Sequence, residues 1–329
     1  MRFKVGLTMK SALILVLLIS LTEILWSADF QLSQPVIHPA APDGSAGVAS
    51  GTSHFIDACD EDNFLRLYPS DTDAQPKMLL DLNQLLGFPK HDGGFKECDL
   101  EGAARIGDRI YWIGSHSRGG KKGKVEPSRQ VLFATKVTGA DEETKLELIG
   151  KPFKALQNAL IDDEKLKSFK LDVAAGKKPE DSGGLNIESL CADGDSLLIG
   201  FRNPVPNGKA LLVPLKNPTD VIDSGAAPML GDPILLDLKG LGIRDMARWR
   251  DGFIVVAGDF RDRKEGAQPS RLFQWSGKSG DAPTPLNGDL KDLNPEGLVV
   301  YGEGADARLQ LLSDDGGETF RSAWIEKAP

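Results

Sequence analysis

Short apolar runs separated by polar turns recur along this chain, too short and too evenly spaced for a helical protein. Runs of this length bounded by Gly, Asp, Asn and Ser read as strands. Five segments repeat one opening: Asp43-Gly44-Ser45-Ala46, Asp99-Leu100-Glu101-Gly102, Asn186-Ile187-Glu188-Ser189, Ile243-Arg244-Asp245-Met246 and Asn294-Pro295-Glu296-Gly297. Each begins an apolar strand that turns back through a second one. In the second unit residues 102–106 and 109–114 flank a Gly107-Asp108 turn, and residues 129–135 and 145–149 supply two further strands. The third and fourth units turn at Gly194-Asp195 and Asp251-Gly252, pairs that accept the positive backbone angles of two-residue hairpins. No crossover helix separates the strands of a unit, which argues against βαβ construction.

The pattern predicts an all-β protein, a β-propeller of five four-stranded blades. The last unit stops one strand short, and Gln34-Pro35-Val36-Ile37-His38 is expected to supply the missing outer strand and close the ring. Pro35 suits an outermost edge, and closure removes open sheet edges. Residues 152–184 read as a helical insertion between blades two and three, because Phe153, Leu156, Ala159 and Leu160 recur at helical spacing.

Ahead of this domain, Arg2, Lys4 and Lys10 precede an apolar run at residues 11–19, and Ser27-Ala28 offers small residues for cleavage. Residues 1–28 are therefore expected to be a signal peptide and residues 29–329 a single propeller domain, exported to the periplasm or beyond. The apolar stretch, about 15 residues interrupted by Glu23, falls short of the roughly 20 a membrane span needs. The net charge of −9 carries no basic stripe, which argues against nucleic acid as a partner. A monomer is expected. Three cysteines leave at least one unpaired; Cys59 and Cys98 are near enough in the repeat register for a disulfide, and Cys191 reads as a buried thiol.

In a propeller the first strands line the central channel, so Glu101, Glu188, Asp245 and Glu296 are expected to converge at one mouth, with Ser45 in the matching place of blade one. The ends of the second strands bring Asp60, His116, Arg118, Arg202, Asp259, Arg261 and Asp314 to the same rim. Clustered carboxylates raise one another's pKa, and a hard cation such as Ca²⁺ relieves the repulsion. The arginines suit a phosphate or carboxylate, and His116 is the best general-base candidate because it titrates near neutrality. Each acid has a structural alternative: accepting backbone N–H bonds from the next blade and stapling the two together. No Gly-x-Ser-x-Gly elbow occurs.

The segments Asp60-Glu61-Asp62-Asn63-Phe64-Leu65-Arg66-Leu67-Tyr68, Asp99-Leu100-Glu101-Gly102-Ala103, Asn186-Ile187-Glu188-Ser189-Leu190, Gly200-Phe201-Arg202-Asn203-Pro204 with Ala210-Leu211-Leu212-Val213-Pro214, and Asn294-Pro295-Glu296-Gly297-Leu298 resemble, in order, a bacterial family catalogued as domain of unknown function 3616. A weaker similarity, carried by the Glu-Gly-apolar openings, links it to phytase-like esterase propellers; Ser189 and Met246 depart from that pattern. The resemblance implies a fold and no mechanism. Two functions follow from the residues. One is binding of a protein partner or small anionic ligand at the carboxylate- and arginine-lined mouth. The other is Ca²⁺-assisted hydrolysis of a phosphate or carboxylic ester.

Overall fold

The computed structural model describes residues 29–88, 90, 94–119, 122–261 and 266–328. The signal-peptide expectation at residues 1–28 lies outside them. Five antiparallel sheets are the blades. Blade one holds Ala46–Ser50, His54–Ala58, Phe64–Pro69 and Lys77–Asp81, and blade two Leu100–Ile106, Arg109–Gly114, Leu132–Thr138 and Lys145–Phe153. Blade three holds Asn186–Asp193, Ser196–Asn203, Ala210–Leu215 and Ile234–Leu236, and blade four Gly242–Trp249, Gly252–Gly258, Arg271–Trp275 and the short Thr284–Pro285. Blade five combines Pro295–Tyr301, Arg308–Ser313 and Thr319–Lys327 with two pieces from the other end of the chain.

Those pieces are Phe30–Leu32 and Val36–Pro39, both paired with Thr319–Lys327 (Phe30 opposite Lys327, Ile37 opposite Arg321). The expected closure by the N-terminal segment is therefore present. First strands touch in ring order, blade one to two, two to three, three to four, four to five and five to one.

Strand alternation sends apolar residues to both faces of each blade, so the core is divided among the five seams. Trp112 and Phe133 pack between blades one and two, and Phe253 and Trp275 between three and four. Phe55, Tyr68 and Phe320 fill the closing seam around the buried His38. The insertion between blades two and three forms two short helices, Leu156–Asp162 and Leu171–Ala174. Leu156, Leu160 and Leu171 enter the adjacent core, so hydrophobic burial holds helices too short to persist alone. Among the described residues no helix is long and apolar enough to cross a membrane.

Candidate functional site

The first strands of blades two to five share a break in register. Leu100 pairs with Gly114 but Gly102 with Ile113; Ile187 pairs with Phe201 but Ser189 with Gly200. Ile243 pairs with Ala257 but Asp245 with Val256, and Pro295 with Ser313 but Gly297 with Leu312. Each strand thus carries one extra residue: Glu101, Glu188, Arg244 and Glu296. A β-bulge of this kind re-aims the extra side chain, here at the channel mouth. Ser45 stands at the same offset in blade one, just ahead of the Ala46–Ala58 pair.

Blade four corrects the sequence expectation by one residue: Arg244, not Asp245, occupies the ring position. Asp245 lies one layer deeper and accepts hydrogen bonds from the backbone N–H of Met246 and of Leu298, both at 2.7 Å, and from Ser189 Oγ at 3.3 Å. It joins blades three, four and five, the stapling role, and burial raises its pKa well above the carboxylate range. Arg244 instead faces both neighbouring acids. Its Nε lies 3.5 Å from Glu188 Oε2, Nη2 pairs with Glu296, and Nη1 donates to Asn294 Oδ1 at 2.8 Å. Arg202, the extra residue where Asn186 pairs with Asn203 but Ile187 with Phe201, donates to Glu188 Oε1 at 2.7 Å and to the Asp259 carbonyl at 2.8 Å.

Two glycines make room for the Arg244 stem and the Arg202 backbone. A Cβ at Gly258 would meet Arg244 Cδ at 2.5 Å and Cγ at 2.9 Å, and one at Gly242 would strike the Arg202 carbonyl.

The acids of blades one and two have less compensation. Carboxylate oxygens of Asp60, Asp99 and Glu101 lie within 4.8 Å of one another. A second set, Asp43, Cys59 and Asp60, shares Asp60. Asp43 Oδ1 accepts from Ser45 Oγ at 2.9 Å and from the Asp60 N–H at 3.4 Å. Asp99, held with φ +54°, meets Arg129 Nη1 at 2.8 Å, and Arg129 also binds Glu97 at 3.0 Å. Burial pushes the Asp99 carboxyl up to about 6 against the pull of Arg129. Burial also raises Asp60 and Glu101 well above the usual range, with Asp43 and Asp99 adding to the first, and Glu188, Asp99 and Asp60 to the second.

The other expected site residues are placed as follows. His116 lies on the mouth side but beneath the helical insertion, buried, with Gln157 donating to its carbonyl at 2.7 Å. Its Nδ1 donates to the Gly114 carbonyl at 2.8 Å, and desolvation lowers its pKa to about 4. Its Nε2 is buried without a hydrogen-bond partner, and the flanking Ser117 donates its hydroxyl to Asp99 Oδ2 at 3.4 Å. Arg118 ties the insertion down through the Ala175 carbonyl at 2.7 Å. Arg261 grips Asp259 through Nε at 2.9 Å and Nη2 at 2.6 Å, and these bonds hold the Asp259 pKa low. Asp314 accepts from Asn294 Nδ2 at 2.9 Å. The Cys59–Cys98 disulfide does not form: all three thiols are free and buried.

Beside the ring, a cavity of about 700 Å³ opens between blades four and five, with Arg202, Arg244, Gln268, Ser270, Asn294 and Arg321 in its wall. Below the ring the channel narrows to about 160 Å³ among mainly apolar side chains, including Val48, Ala104, Leu190, Met246 and Leu298. The polar mouth thus sits on an apolar floor, where charges are less screened than in water. Sequence reasoning missed Asp43, Asp99, Arg129 and Arg244. Asp43 and Asp99 head their repeat segments two residues before the ring position, a regularity that marks them.

Three comparisons with known proteins follow from this architecture. The family model described as "Protein of unknown function (DUF3616)" matches residues 43–152 and 129–313. Among curated proteins no relative matches. Solved structures with a similar chain path include a glutaminyl cyclase from Myxococcus xanthus, 12% identical, with 92% of this chain and 99% of that one covered at a TM-score of 0.48. A PQQ-bound aldose sugar dehydrogenase from Streptomyces coelicolor is 11% identical over 89% of this chain and 98% of that one, TM-score 0.42.

Proposed function

This chain belongs to the DUF3616 family of proteins of unknown function, and from its site geometry we propose that the propeller binds a small anionic ligand at the mouth of its central channel. One observation carries the reading: two guanidinium groups, Arg202 and Arg244, only 7% and 3% exposed, stand side by side through Glu188 in the wall of the 700 Å³ cavity. Buried arginine with a planar fork of donors suits carboxylate or phosphate recognition. Of the acids in the cavity wall, Asp259 is gripped by Arg261 and both Asp292 and Asp315 by Arg321, which lessens their repulsion of an incoming anion. Asn294, Gln268 and Ser270 supply neutral polar groups for the rest of the ligand.

Thermal-shift and calorimetric titrations with inorganic phosphate, sulfate, acetate and citrate test this. At least one anion should raise the melting temperature of the wild type and fail to do so for Arg202→Met and Arg244→Met. An unmoved wild type, or a shift that survives both substitutions, overturns it.

A second reading, hydrolysis of a phosphate or carboxylic ester as in phytase-like propellers, is favoured by the convergence of Asp60, Asp99 and Glu101 at the same mouth. Turnover of chromogenic phosphate or acetate esters, lost on Glu101→Gln, would separate it from binding alone. The basic and apolar leader supports an exported location, which the N-terminal residue of the mature protein would test.

A further inference from the structure

The two halves of the mouth differ in one respect: Glu188 and Glu296 are each met by Arg244, whereas the acids on the seam between blades one and two outnumber their cations. Asp60 Oδ1 is sealed from solvent and has no hydrogen-bond partner, an expensive state for a carboxylate oxygen. We propose that Asp60, Asp99 and Glu101 bind a hard divalent cation, of the Ca²⁺ class, at this seam. The site differs from a ring of four acids around the channel: only Glu101 belongs to both. The proposal goes beyond anion binding in the cavity and does not depend on it.

Geometry supports the assignment. Three oxygens no more than 4.8 Å apart leave their common centre no more than about 2.8 Å from each, against roughly 2.3–2.6 Å for a Ca²⁺–oxygen bond. A small closing motion completes the contact. The ligands come from two blades, Asp60 after the second strand of blade one and Asp99 and Glu101 at the first strand of blade two, so the cation joins elements that otherwise repel. Arg129 holds Asp99 in place from behind, aided by Glu97 on its other amino group. Three protein oxygens also leave coordination positions open toward the mouth, where water or an anionic group completes the shell.

Cys59 belongs to the neighbouring set with Asp43 and Asp60 and not to this one. The all-oxygen set therefore favours a hard cation over Zn²⁺.

The test uses EDTA-stripped protein and Ca²⁺ alone. Saturation at a hundredfold excess over Kd should raise the melting temperature by about 5 °C. Asp60→Asn and Glu101→Gln should lose the shift while keeping the native circular dichroism spectrum, and their metal-free melting should be unchanged or higher because repulsion is relieved. Asp245→Asn, a buried acid of the same channel, should keep the shift, and so should Arg244→Met even if anion binding fails. Four results overturn the proposal: no response to millimolar Ca²⁺, a response that persists in Asp60→Asn, a metal-free melting lowered by both substitutions, or a Zn²⁺ response abolished by Cys59→Ser.

Discussion

Arg244 and Glu188 occupy the same bulge position on neighbouring blades and face each other, Nε to Oε2, at 3.5 Å. An arginine thus stands where three other blades place a glutamate or, in blade one, a serine. The consequence is a mouth with guanidinium groups on blades three and four and acids that outnumber their cations on blades one and two. Gly258 lets the Arg244 stem pass, and Gly242 lets the Arg202 backbone approach. Gly258→Ala displaces a flexible side chain, so it should weaken anion binding about tenfold with a melting temperature close to wild type. Gly242→Ala meets backbone and should cost more than about 2 kcal/mol of stability, read from urea unfolding.

Asp245 offers a contrast with the ring. Asp245→Ala strands the Leu298 and Met246 N–H groups inside the channel and should cost about 2–4 kcal/mol. Asp245→Asn retains one acceptor oxygen and should cost less. Equal losses in both variants would contradict the stapling role.

His116 makes stability acid-sensitive with a definite sign. Its folded pKa of about 4 lies below the ordinary 6.5, so as pH falls through that window the unfolded chain takes up the proton first. The favourable contribution is complete above pH 6.5 and is lost toward pH 4. Asn tolerates the φ of +55° at this position. His116→Asn should therefore gain on the wild type as pH is lowered, by about 3 kcal/mol at pH 4. Parallel stability curves for the two proteins would contradict this. The difference is the informative quantity, because Asp57, Asp60, Glu101 and Asp245 have raised pKa values and act in the opposite direction in both proteins.

The thiols of Cys59, Cys98 and Cys191 are buried, and burial raises the pKa of each. A thiol reagent should find none of them in the native protein and all three in denaturant without added reductant. One reactive thiol in denaturant would mean a disulfide.

The blades and their closure were legible because a strand buried on both faces is a short unbroken apolar run between polar turns, and Val36–Pro39 carries an edge-compatible pattern. Blade four was misread for a physical reason. Residue type suggested that Asp245 matches Glu101, but the pairing of Ile243 with Ala257 and of Asp245 with Val256 sets the bulge at Arg244. A one-residue slip is invisible to composition and reverses the charge of the site. His116 and Arg118 were placed at the correct face, yet the insertion packs over them through Gln157 and Ala175, a tertiary contact that repeat register does not encode. Arg129 was missed because it ends a polar loop as the last residue of a single 3-10 turn, Pro127–Arg129, where a strand was expected.

The anion site itself is tested most directly by anomalous diffraction from crystals of the protein soaked in selenate. The expected result is a selenium peak in the cavity between blades four and five, within hydrogen-bond distance of both Arg202 and Arg244, and absent from Arg244→Met. Selenium only at surface lysines, with the cavity wall unchanged, would contradict the account.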